Sequence, residues 1–146
     1  MNVYLDSNVI VKCYADETGS SESLALMKTT EYTATSLISG AEVVAAISKA
    51  VRTGTLNLAQ GAQARQKFLG QWPAFRRVPL SEQTILRAAR LAWDYQLRGN
   101  DAVHLAAALE WQEELGETVK LATFDRELWL ACEPAGLQPW PARLPR

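Results

Sequence analysis

The first apolar cluster, Val3-Tyr4-Leu5, is an uninterrupted run closed by Asp6, the pattern of a short buried strand ending at a polar edge. Ser7 can then cap a helix through about Tyr14, where Asp16-Glu17-Thr18-Gly19 breaks the pattern. Ser20 or Ser21 can open a second helix through Met27 and Lys28, and Tyr32 to Thr35, rich in β-branched and aromatic residues, reads as a second strand. Ser39 is placed to cap the next helix, whose Val43, Ala46, Ile47, Ala50 and Val51 recur on one face until Gly54. Leu56 to Trp72 reads as a further helix weakened by Gly61 and Gly70, and Phe75 to Pro79 as a short strand. From Ser81, the spacing of Ile85, Ala88, Ala89, Ala92 and Trp93 predicts an amphipathic helix that stops near Arg98-Gly99. Asp101 opens another, with Ala102, Leu105, Ala106 and Leu109 on its inner face, ending near Leu115-Gly116 before a strand over Val119 to Thr123. Asp125 caps a last helix to about Cys132, and Leu137 to Trp140 suits an edge strand.

Short strands alternating with helices predict an α/β fold in three layers, a mostly parallel sheet flanked by helices, because parallel neighbours need crossover connections. The 146 residues match one domain, with neither repeat nor linker, and can bury a core without disulfide staples. Cys13 and Cys132 lack metal-ligand spacing and sit among apolar neighbours, so both are expected to be reduced and structural. No basic, apolar leader precedes the first strand, and no run approaches the ~20 apolar residues of a membrane helix, so a cytoplasmic location with no membrane contact is expected.

The formal net charge is -1, short of the basic balance that drives non-specific nucleic-acid binding. Acids gathered at one metal site would offset basic residues elsewhere, and the ion would supply positive charge. Lys49 with Arg52, Arg65 with Lys67, Arg76 with Arg77, and the group Arg87, Arg90 and Arg98 are the local basic clusters. Each reads equally as a solvated face.

The acids carry the chemistry. In open α/β sheets functional groups collect outside the carboxyl ends of the strands. Asp6 follows the first strand, Glu42 lies in the first turn after the second, and Asp125 follows the fourth, while Asp101 stands at a helix start. Singly, each has a plain role at a helix N-terminus, where a carboxylate satisfies free N–H groups and the dipole. Together they would repel unless a cation neutralised them, and hard oxygen donors suit Mg2+ or Mn2+. The single His104 and two distant cysteines argue against zinc. Such a site can activate water for attack on phosphorus. His104, three residues after Asp101, is placed to orient that carboxylate, to meet phosphate, or simply to fill the core; Ser7 supports the site or caps its helix. Trp72 and Trp140 lie beside prolines, whereas Trp93 and Trp111 lie within periodic helices, and any of them has the surface to stack on bases.

Four segments in order carry a resemblance. Val3-Tyr4-Leu5-Asp6-Ser7-Asn8, Ser39-Gly40-Ala41-Glu42-Val43, the stretch from Leu97 to Ala108 containing Asp101-Ala102-Val103-His104-Leu105-Ala106, and Ala122-Thr123-Phe124-Asp125 are similar to the motifs of PIN domains. Within that family the chain resembles the VapC-type toxins of bacterial VapBC toxin–antitoxin pairs, over nearly its whole length. Asn100 departs from the aromatic or aliphatic residue expected there. The resemblance implies a metal-dependent endoribonuclease whose substrate is RNA, neutralised by a cognate antitoxin protein and working as a homodimer. It assigns metal binding and catalysis to Asp6, Glu42, Asp101 and Asp125, with Ser7 and His104 in support. Two other readings stand beside it: a catalytically silent PIN-like module that binds RNA or protein, and a magnesium phosphatase. The second lacks the acid two residues after Asp6, where Asn8 stands.

Overall fold

A computed structural model describes all 146 residues. Its centre is a five-stranded, wholly parallel sheet in the order β3-β2-β1-β4-β5. The strands are β1 (Asn2–Leu5), β2 (Tyr32–Ser36), β3 (Arg76–Val78), β4 (Val119–Ala122) and β5 (Gln138–Trp140). Helices α1 (Ser7–Val11) and α2 (Ser20–Thr29) join β1 to β2, and α3 (Ser39–Arg52) and α4 (Leu58–Gln71) join β2 to β3. Helices α5 (Glu82–Tyr95) and α6 (Gly99–Leu115) carry the chain across to β4, and α7 (Arg126–Ala135) leads to β5.

Alternation along the strands divides the core into two. On β1, Val3 and Leu5 face a cluster with Val9, Ile10, Leu26, Val43, Ile47 and Phe68 from α1 to α4. Tyr4, between them, faces Ala88, Leu105, Ala108, Leu128 and Cys132 from α5 to α7. All three β1 residues are fully buried, as expected of a central parallel strand covered on both faces, whose sequence then reads as a continuous apolar run. Helix α6 is buried nearly all round, with Leu105, Ala106, Ala107 and Ala108 inaccessible, because it lies against the sheet with α5 and α7 beside it. Its alanines let those neighbours approach closely. Gly61, which weakens the helical pattern of α4, has a packing reason: a Cβ there would collide with the Val51 side chain of α3.

Several local expectations are corrected. Helix α1 stops at Val11 and not near Tyr14. Ser7 and Ser39 are first residues of their helices; the flanking cap positions belong to Asp6 and Ile38, and neither makes a side-chain cap. The Ser39 hydroxyl turns inward, 2.6 Å from that of Thr35, which spends its own proton on the Leu5 carbonyl at 2.7 Å, so Ser39 is the donor. Helix α5 ends at Tyr95 with Gln96 left-handed, and Gly99 opens α6 instead of closing α5.

The larger correction is the rotation of α5. Of the predicted face, Ala88 and Ala92 do pack inward, but Ile85, Ala89 and Trp93 do not, and Thr84, Leu91 and Tyr95 turn inward instead. Ile85, Leu86 and Trp93 are outside, and Trp93 is 86% exposed. Helix α5 has apolar residues on two faces, and periodicity could not tell which of them meets the sheet. Trp111 is buried, as its helix predicts, whereas Trp72 and Trp140 are half-buried against Phe68 with Phe75 and against Phe124. Neither cysteine is in a disulfide, and burial pushes the thiols up to about 11 for Cys13 and about 12 for Cys132. No helix is long and apolar enough to cross a membrane.

Candidate active site

The chain runs outward from β1 through β2 to β3, then returns to place β4 on the other side of β1. The connections leaving β1 and β4 therefore diverge, opening a crevice beyond their carboxyl ends, the position where ligands bind in open α/β sheets. Asp6 follows β1, and Thr123 and Asp125 follow β4; Glu42 reaches the same edge from the first turn of α3, and Asp101 from the first turn of α6.

Contacts tie the predicted residues into one cluster. Asp6 is 4% exposed, and its Oδ2 accepts from the Thr123 hydroxyl at 2.7 Å. Having given that proton away, Thr123 Oγ1 accepts from the Asp125 backbone N–H at 2.9 Å, so one buried side chain sets the spacing of two acids. Ser7 Oγ donates weakly to Asp6 Oδ1 at 3.4 Å and also approaches Glu42. Asp125 both caps α7, accepting from Leu128 N–H at 3.1 Å through Oδ1, and receives the Arg98 guanidinium on Oδ2 at 2.6 Å. Its helix-cap reading is thus realised through one oxygen, while the other faces the guanidinium.

His104 is fully buried, and its partner differs from the expected one. Its Nε2 lies 2.7 Å from Glu42 Oε1 and 3.6 Å from Asp6 Oδ1, while Nδ1 lies 2.8 Å from the Tyr4 hydroxyl. It bridges two other acids and makes no hydrogen bond to Asp101. A carboxylate against Nε2 requires a proton on that nitrogen. Burial opposes charging the ring, but Asp6, Glu42 and Asp101 outweigh it and raise the imidazole above its ordinary value. Burial likewise works to raise Glu42, yet His104, with help from Asn100 and Ser7, holds that carboxyl below its usual value. Tyr4 is kept a neutral phenol by burial and by the nearby Asp6 and Glu42, which push it well above its usual range.

Asp101 is the strained member. It is 3% exposed, and burial, Asp125 and Asp6 raise its carboxyl against the opposing pull of Arg98. Arg98 donates from Nε to Asp101 Oδ2 at 3.1 Å, so one guanidinium bridges the acids of α6 and the β4–α7 turn. Sequence reasoning placed Arg98 in a surface basic cluster and missed this role; its i,i+3 spacing to Asp101 was the available signal. Tyr4, Thr123 and Asn100 were also missed as site residues, since their patterns are those of a strand, a strand end and a helix start.

The donor set suits a hard divalent cation by its chemistry, since four carboxylates and nearby hydroxyls supply oxygen. In this conformation no three Asp, Glu, His or Cys side chains are grouped so that they could hold an ion. Beside the cluster, Ser7, Asn8, Val11, Ala46, Lys49 and Thr53 help line a groove of about 320 Å3.

A wholly parallel α/β sheet with acidic side chains gathered at the switch point between β1 and β4 defines a class of domain suited to metal-assisted phosphate chemistry. Within that class the chain belongs to the PIN-domain family, whose profile matches residues 3–131. It is 36% identical over 143 residues to Ribonuclease VapC45 of Mycobacterium tuberculosis (strain CDC 1551 / Oshkosh), covering 97% of this chain and 96% of that protein. Among solved structures, FitAcB from Neisseria gonorrhoeae superposes with a TM-score of 0.70 at 19% identity, over 94% of this chain and 95% of that one. A toxin-antitoxin complex from Klebsiella pneumoniae contains a chain with a TM-score of 0.62 at 20% identity, over 85% and 87% of the two chains. These two are likenesses of fold.

Proposed function

We propose that this chain is a metal-dependent endoribonuclease, acting as one nuclease domain and as the toxin of a type II toxin–antitoxin pair. The observation that carries the reading is the convergence of Asp6, Glu42, Asp101 and Asp125 on one sheet edge. The end-to-end similarity to a protein named as a ribonuclease supports it.

Asp6, Asp101, Glu42 and Asp125 are the residues that would hold Mg2+ or Mn2+. A cation there would supply charge to lower the pKa of water and to stabilise the extra negative charge of in-line attack on phosphorus. The protein's own part is positional. Thr123 orients Asp6 by a hydrogen bond to one oxygen, and His104, pinned by Tyr4, holds its Nε2 proton on Glu42 Oε1 and thereby fixes that carboxylate. The Ser7 hydroxyl points at Asp6 Oδ1 and completes the polar wall.

The likeness to a chain of a toxin-antitoxin complex supports a small inhibitory protein partner, which would direct a basic side chain toward the acids. The exposed Ile85, Leu86 and Trp93 of α5 support a homodimer that covers them. A cytoplasmic location agrees with an RNA substrate.

The test is cleavage of a panel of structured and unstructured RNAs with Mn2+, with Mg2+ and with EDTA, beside an Asp101→Asn variant. Metal-dependent cutting lost in the variant is expected. RNA binding without metal dependence or cleavage would favour a silent module, a reading that draws on the acids being already engaged by Arg98 and His104.

A further inference from the structure

Arg98 is unusual among the site's neighbours in being both outside and inside. Its side chain is 72% exposed, yet two of its nitrogens reach Asp101 Oδ2 and Asp125 Oδ2 at 3.1 and 2.6 Å. Its backbone is the extended residue before α6, so the side chain starts from the rim and not from the helix body. No neighbouring chain atom holds it there except the two carboxylates, which come from different elements and repel each other. Both acids it pairs with are among the four proposed to hold the cation.

We propose that Arg98 is an exchangeable counter-ion of the acidic site: it neutralises Asp101 and Asp125 until a divalent cation takes those carboxylates, and the released guanidinium then binds a phosphate of the RNA strand. This rests on the nuclease reading above. Three features carry it. A guanidinium and a divalent cation drawn to the same two carboxylates repel each other and neutralise the same charge, so binding of one weakens the other and the two compete by mass action. A largely exposed arginine is held by ion pairs weak enough to exchange. Once displaced it remains tethered at the rim of the crevice, and its planar fork of donors matches the oxygens of a phosphate.

The competition is read by Mn2+ titration of purified full-length protein, followed by electron paramagnetic resonance of free Mn2+ and by thermal shift, for wild type, Arg98→Gln and Arg98→Lys. Steady-state cleavage of one RNA at saturating Mn2+ completes the set. Arg98→Gln is expected to bind Mn2+ about twofold to fivefold more tightly, the scale of exposed ion pairs. The same variant should have a KM for RNA raised by a similar factor, and Arg98→Lys, which keeps the charge but not the fork, should fall between. Unchanged or weaker Mn2+ binding by Arg98→Gln, in a wild type that does bind Mn2+, overturns the counter-ion role alone. Tighter Mn2+ binding with an unaltered KM overturns the phosphate role. A wild type that binds no Mn2+ overturns the metal site itself and this inference with it.

Discussion

At the residue scale, the cluster is a set of charges that burial makes expensive and neighbours only partly relieve. Asp101 shows this most directly. A carboxyl raised in the folded state binds its proton more tightly there than in the unfolded chain, so its ionised form costs stability above the carboxylate range, and the cost fades as pH falls through that range. Asp101→Asn in EDTA-treated protein is therefore expected to raise Tm at neutral pH by roughly 2–4 °C, the shift that about 1 kcal/mol produces at this size. The gain should shrink on acidification, as followed by calorimetry at several pH values. A lowered Tm at pH 7 would mean that the Arg98 pair outweighs the repulsion. His104 is the opposite case, a buried group with partners on both nitrogens. His104→Ala leaves a cavity and strips Glu42 and Tyr4 of a partner, so a loss of about 2–4 kcal/mol in urea unfolding is expected, along with weaker cleavage.

At the scale of elements, the helices differ in how tightly sequence specifies their packing. Helix α3 meets α4 where Gly61 makes room for Val51, and Gly61→Val should overpack that contact at a cost of about 1–3 kcal/mol, visible as a lower urea midpoint with an unchanged slope. The strand positions and most helix limits were legible, because alternation, capping residues and glycine stops are local signals. The caps at Ser7 and Ser39 were misassigned for a physical reason. A serine before an apolar helix is a good cap only if its hydroxyl is free, and Ser39 here is drawn inward to Thr35. The rotation of α5 was likewise beyond local reading, since Ala88 and Ala92 sit between Ile85, Ala89 and Trp93 on one side and Thr84, Leu91 and Tyr95 on the other, and either flank completes a helical face.

At the scale of the whole molecule, the outward face of α5 and the acidic edge are the two surfaces that call for partners. Trp93→Glu is expected to leave the fold intact, since the side chain is 86% exposed, and to convert the proposed homodimer to a monomer in sedimentation experiments. A variant that stays dimeric would place the interface elsewhere. Several basic residues are also paired locally, Arg76 with Glu114, Arg87 with Glu113 and Arg98 with the site, so they are not free to form a basic face.

The sequence by itself determined the alternation of strands and helices, the mostly parallel character of the sheet, and the four acids to watch, because each depends on periodicity or on position next to a strand end. It could not determine which groups share those acids. The bridge of His104 from Glu42 to Tyr4 spans residues 62 and 100 positions apart, Thr123 meets Asp6 across 117, and Arg98 meets Asp125 across 27. Those pairings exist because α6 and the end of β4 are both brought against β1, and so the protonation, the counter-ions and the exposed face of α5 were decided by tertiary packing, where distance along the chain no longer measures distance in space.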